Sequence, residues 1–215
     1  MKKKILLIGI ILMLVCGCTN IKNMSYDDIA NLVRTKEKNP NVFKKGYQYY
    51  IPNGLSINTN GTNYAILSSI DTNYYLYVDL VSYMNKSDVA YKVDENALYS
   101  KKINYNKKIG YIEIKLWENN KYLIEIMYNY AKIEVMVEEN LINKVLINSI
   151  NILNSIKYND IIIERLLNDD ELSYTEEVFE LFDDDVKGEN NLEYKDETTI
   201  EDEQKDEIKD TDFIN

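Results

Sequence analysis

The chain has 215 residues, 45% of them apolar, and 36 acidic against 25 basic side chains give a formal net charge of −11. That length supports one ordinary core and is too short for two comfortable domains. There is no histidine, and the only cysteines are Cys16 and Cys18, so Ser-His-Asp and Cys-His machinery, His or Cys zinc sites and disulfide frameworks are excluded from whatever remains after N-terminal processing.

Lys2, Lys3 and Lys4 precede an apolar run from Ile5 to Val15, about half the roughly twenty residues that a membrane-spanning helix needs. Such a run reads as the core of a signal peptide. Val15, Cys16, Gly17 and Cys18 follow directly, and here the chain resembles the lipobox of bacterial lipoproteins: an aliphatic residue, a small residue before the cut, then the acceptor cysteine. Cys18 fits the pattern, whereas Cys16 would place the bulky Val15 where Gly, Ala or Ser belongs. The resemblance implies removal of residues 1–17, acylation of Cys18 and a lipidated tether over 18–24. Two or three acyl chains, at about 0.8 kcal/mol per buried methylene, hold a soluble domain on a bilayer where a single chain does not. Ile, Asn, Lys and Tyr make up nearly half the chain, as expected from an AT-rich genome, which points to a low-GC Gram-positive or wall-less bacterium.

The domain is expected over 25–168. Ser25 followed by Asp28 is a capping signature, and Tyr26, Ile29 and Val33 continue it as one apolar stripe, predicting a helix over 26–36. Tyr47 to Ile51 reads as a strand ending at Pro52, Asn53 and Gly54, and Leu55 with Ile57 as a short one. Strands follow over 64–69 and 74–81, the latter apolar on both faces, which implies a sheet covered on both sides. Residues 84–96 read as a loop. A weak strand near 97–103 precedes three strong ones at 110–117, 122–128 and 131–137.

Side-chain parity constrains their register, because a slip of one residue exchanges the faces. A three-residue loop of Asn119, Asn120 and Lys121 would set Lys115 opposite Glu125. A two-residue turn of Asn129 and Tyr130 would set Ile126 against Ile133, Ile124 against Val135 and Glu125 against Glu134. Leu141, Ile142, Val145, Leu146, Ser149, Ile152, Leu153 and Ile156 then recur at helical spacing, capped near Asn140. A further helix over 161–167 is expected with Asp160 as its cap. Ser173 and Glu176 could cap a short amphipathic turn with Val178, Leu181 and Phe182.

The expected class is therefore α+β, an antiparallel sheet of six to seven strands with helices packed on it. Gly46, Tyr47, Tyr49, Ile51, Pro52, Gly54 and Leu55, with the closing stretch Ile152 to Lys157, resemble the Mog1/PsbP-like α/β/α sandwich, a fold known in bacterial lipoproteins. That resemblance would span roughly 25–160 and carries no residue of known role.

Charge is segregated. From Asp169 onward there are twenty acidic residues against four lysines, while residues 19–168 carry sixteen against eighteen basic ones. A stretch such as Glu189 to Asp212 has little to bury and repels itself, so 183–215 is expected to be a disordered acidic tail. The chain as a whole offers no basic footprint, and no nucleic-acid partner is expected. Asp183, Asp185 and Gly188 occupy positions one, three and six of a calcium loop, but Lys187 and Tyr194 break the pattern, so no metal site is expected. Phosphate-binding glycine patterns are missing, and no cofactor is expected.

The most suggestive chemistry is Glu125 between Lys115 and Glu134 on one sheet face, with Glu113 nearby and Trp117, Leu123, Met127 and Met136 around it. Paired carboxylates about 5 Å apart can act as acid and base on a glycoside; equally, lysines such as Lys115 and Lys132 can balance acids on a plain sheet face. The nineteen tyrosines suit glycan or peptide docking, or serve simply as strand residues. The leading expectation is a non-catalytic lipoprotein on the extracytoplasmic face of the cell membrane, tethered through Cys18 and binding an envelope protein. The alternatives are a glycan hydrolase using Glu125 and Glu134, and a solute-binding lipoprotein, whose usual two lobes need more chain.

Overall fold

The computed structural model describes residues 23–70 and 72–168. Cys18, the amphipathic turn near Val178, the broken calcium loop and the acidic tail lie outside them.

The chain enters through α1 (Tyr26–Ala30), which tightens into a 3-10 turn over Asn31–Arg34. Ser25 caps it as the spacing implies: its Oγ accepts from the Asp28 amide at 3.1 Å and its hydroxyl donates to the Asp28 carboxylate. Three short strands, β1 (Val42–Phe43), β2 (Tyr47–Tyr49) and β3 (Ser56–Asn60), follow. Gly46 sits between the first two at φ +93°, a conformation glycine adopts without strain. Strands β4 (Tyr64–Ser69) and β5 (Thr72–Val78) form a hairpin. The chain then turns into α2 (Leu80–Asn85).

Strands β6 (Tyr99–Tyr105), β7 (Lys108–Leu116), β8 (Tyr122–Tyr128) and β9 (Ala131–Val137) make a continuous meander. Helix α3 (Ile142–Asn154), the two-residue strand β10 (Lys157–Tyr158) and α4 (Asp160–Asn168) complete the described chain. The fold is α+β. A seven-stranded antiparallel sheet runs in the order β3-β4-β5-β9-β8-β7-β6, and a three-stranded one in the order β1-β2-β10.

Period-two alternation divides the large sheet into two faces. Ile112, Ile114, Ile124, Ile126, Ile133 and Val135 are each 0% exposed and share one face. Helix α3 packs on β8 and β9, with α1 against α3, and its Val145, Leu146, Ile152 and Leu153 close this core. Burying side chains of this kind stabilises by about 1.5–3 kcal/mol each, which is why a helix with no side-chain cap of its own still forms. The other face carries the charged residues.

Several details depart from the sequence expectation. The strand read as 74–81 stops at Val78, because the Asp79 carboxylate accepts from the Ser82 amide at 2.8 Å and caps α2 within the supposed strand and loop. Asn140 does not cap α3; it lies in a 3-10 turn over Glu139–Leu141. Asn159, not Asp160, caps α4 through the Ile162 amide, while Asp160 accepts from the Tyr83 hydroxyl at 2.7 Å. The small sheet, in which β10 returns to pair with β2, was not foreseen.

Candidate functional site

The expected carboxylate site lies on the face opposite α3. The β8–β9 register is the predicted one, with Glu125 opposite Glu134 and Ile126 opposite Ile133. It is set by a two-residue turn in which Asn129 (φ 55°) and Tyr130 (φ 62°) are both left-handed, the geometry that matches the strand twist. The β7–β8 register has the predicted parity but is shifted by two residues. The connection is five residues long, since Leu116 pairs with Tyr122. Asn119 and Asn120 both sit at positive φ, and the Trp117 amide donates to the Lys121 carbonyl at 2.7 Å to close the loop. Lys115 therefore faces Leu123, and Glu113 faces Glu125.

Three glutamates thus stand in one row across adjacent strands: Glu113 on β7, Glu125 on β8 and Glu134 on β9. Like charges directly opposite repel, and the structure answers each one. Lys132 Nζ lies 2.9 Å from Glu134 Oε1 and 3.8 Å from Glu125 Oε2. The Tyr111 hydroxyl donates to Glu125. Lys115 Nζ pairs with Glu113 at 2.6 Å and with Asp94 at 3.6 Å. The Tyr91 hydroxyl donates its one proton to Glu113, so at the 2.6 Å contact Ser100 is the donor to Tyr91. The Tyr91 and Tyr111 rings stack at 3.9 Å, 1° from parallel, and this brings the loop after α2 down onto the sheet.

The electrostatics follow from this wiring. Burial raises the pKa of Tyr111, and the charge and hydrogen bond of Glu125 raise it further; burial and then the Glu113 hydrogen bond do the same at Tyr91. Both phenols are locked as neutral donors. At Lys115 burial works against the ammonium, but Glu113 and Asp94 outweigh it and its pKa rises. Glu134 is 1% exposed.

The structure therefore brings Glu113, Glu125 and Glu134 together and supplies Lys132 as the bridge. It does not place Lys115 opposite Glu125. Leu123, Met127 and Met136 share the Glu125 face as expected, Leu123 being buried and the two methionines half-buried. Trp117 lies past the end of β7 in the loop. Sequence reasoning missed Tyr91 and Tyr111; the only trace of them was the high tyrosine count. A carboxylate pair that hydrolyses a glycoside must reach the sugar from both sides of the scissile bond, whereas here a lysine bridges the pair. Among the described residues no group of three or more acidic or sulfur side chains is arranged to hold a metal ion, and no helix is long and apolar enough to cross a membrane.

A separate cavity of about 270 Å³ lies beside the other face, at the β6–β7 turn, where Arg34, Lys36, Lys108, Tyr105, Tyr128 and Asn154 converge. None of these was singled out from the sequence. No known protein family, curated protein or solved structure matches the chain.

Proposed function

We propose that this protein is a lipid-tethered, non-catalytic binding module of the bacterial cell envelope, acylated at Cys18, held on the extracytoplasmic face and engaging another envelope protein. The observation that carries the non-catalytic part is the state of the carboxylate row: Glu134 is 1% exposed and paired with Lys132, which also bridges toward Glu125. Such an arrangement stabilises one structure, whereas acid–base work needs reachable groups in opposite protonation states. The tether is supported by the lipobox-like Val15-Cys16-Gly17-Cys18 after a short apolar run. The acidic segment after residue 183 serves in this reading as a solvated spacer or docking arm.

The test is proximity labelling on intact cells with the full chain, followed by pull-down with and without residues 183–215. The reading expects a small, reproducible set of envelope proteins that is lost for Cys18→Ser. Hydrolysis of cell-wall glycan by the purified protein, abolished by Glu134→Gln, would overturn it in favour of a hydrolase.

A further inference from the structure

The cavity at the β6–β7 turn is built from four separate parts of the chain. The 3-10 turn after α1 and the residues beyond it bring Arg34 and Lys36. The left-handed pair Asn106 (φ 53°) and Lys107 (φ 65°) folds the hairpin so that Tyr105 and Lys108 flank the opening. Strand β8 brings Tyr128 and the last turn of α3 brings Asn154. This convergence is tertiary and not a run of charge along the sequence.

Two independent features point to a ligand. The first is charge. Glu37 also lines the cavity, but Lys108 neutralises it, Nζ to Oε1 at 2.7 Å, which leaves Arg34 and Lys36 facing the cavity with no ion pair among the described residues. The Arg34 guanidinium is held 5.2 Å from the Tyr105 ring centroid, a cation–π placement that orients it without neutralising it. The second is buried polarity. Asn154 is 5% exposed and lines the cavity, which puts a nearly buried side-chain amide at its wall. Tyr128 is 1% exposed, and among the described residues its hydroxyl reaches only the Tyr105 carbonyl, at a long 3.4 Å. Polar groups at the wall of a cavity are placed to hydrogen-bond whatever occupies it.

We propose that this cavity binds a small organic oxyanion, a carboxylate or a phosphate, with Arg34 and Lys36 supplying charge and the Asn154 amide and Tyr128 hydroxyl the directed hydrogen bonds. The planar fork of a guanidinium pairs with two oxygens of either head group. A volume of about 270 Å³ lies just below the range of drug-sized sites, which limits the occupant to a small molecule or a single head group. The exposed Tyr105 ring at the rim offers a wall for a flat apolar part. The inference rests on the cavity alone and stands whether or not Cys18 carries lipid.

The test is an NMR titration of the ¹⁵N-labelled full chain with sodium benzoate, with inorganic phosphate and with neutral benzamide. Saturable shifts of the Asn154 side-chain amide and the Lys108 backbone amide are expected with at least one anion and not with benzamide. Benzoate alone assigns a carboxylate, phosphate alone a phosphate, and both assign the shared oxyanion chemistry. The exposed double change Arg34→Gln/Lys36→Gln should weaken binding at least tenfold, and Asn154→Asp should weaken it by repulsion. No saturable shift with either anion, equal shifts with benzamide, or undiminished affinity in the double variant would overturn the proposal.

Discussion

Lys132 shows how a single side chain decides what a row of carboxylates can be. Its ammonium sits 2.9 Å from the almost fully buried Glu134, so removing it leaves a buried charge without this counterion. Lys132→Met should cost about 3 kcal/mol, measured by urea denaturation, and adding Glu134→Leu should recover most of the loss because both partners then become apolar. At Tyr49 the reverse holds. Its hydroxyl is buried without a hydrogen bond among the described residues, so Tyr49→Phe should leave stability unchanged or raise it by up to about 1 kcal/mol. The glutamate row was half legible in the sequence. Parity placed Glu125 against Glu134, because a two-residue Asn-Tyr turn leaves the register no freedom. It could not place Lys115, because the loop after Trp117 accepts three or five residues with the same parity.

Among the elements, turns are the most sensitive points. In the β6–β7 hairpin Lys107 is an exposed non-glycine residue at φ 65°, and Lys107→Gly should raise stability by about 1 kcal/mol, read as a higher denaturation midpoint. Gly110 is the opposite case: a Cβ there would meet the Met127 carbonyl oxygen at 2.0 Å. Gly110→Ala should therefore push β7 from β8 and destabilise by more than about 2 kcal/mol on the same assay. Strands β8 and β9 and helix α3 were legible because each carries a clean period of two or of 3.6. Helix α2 was not, since Tyr74 to Val81 alternates smoothly through the Asp79 cap, and six residues are too few to show a helical period. The cavity was invisible because its lining comes from four distant segments.

At the scale of the whole molecule, the buried tyrosines make the fold sensitive to base. Burial pushes the pKa of Tyr49 and of Tyr128 from 10 up to about 12, with the charge of Glu37 adding at Tyr128. A phenol whose pKa is raised on folding contributes stability that is fully present below its unfolded value and is lost as pH climbs through its folded value. Thermal melts should therefore show a midpoint that falls between pH 10 and 12, and less steeply in Tyr49→Phe. The division of the chain into a nearly neutral stretch and an acidic one is written in composition, and so is the short apolar run near the start. What the molecule recognises is not, because recognition depends on surfaces assembled from distant residues. The proposed tether at Cys18 is tested most directly by mass spectrometry of the protein purified from its native membranes. A mature chain that starts at Cys18 and carries diacylglyceryl on its sulfur is the predicted result. A mature chain that starts elsewhere, or at Cys18 with a free thiol, would contradict it.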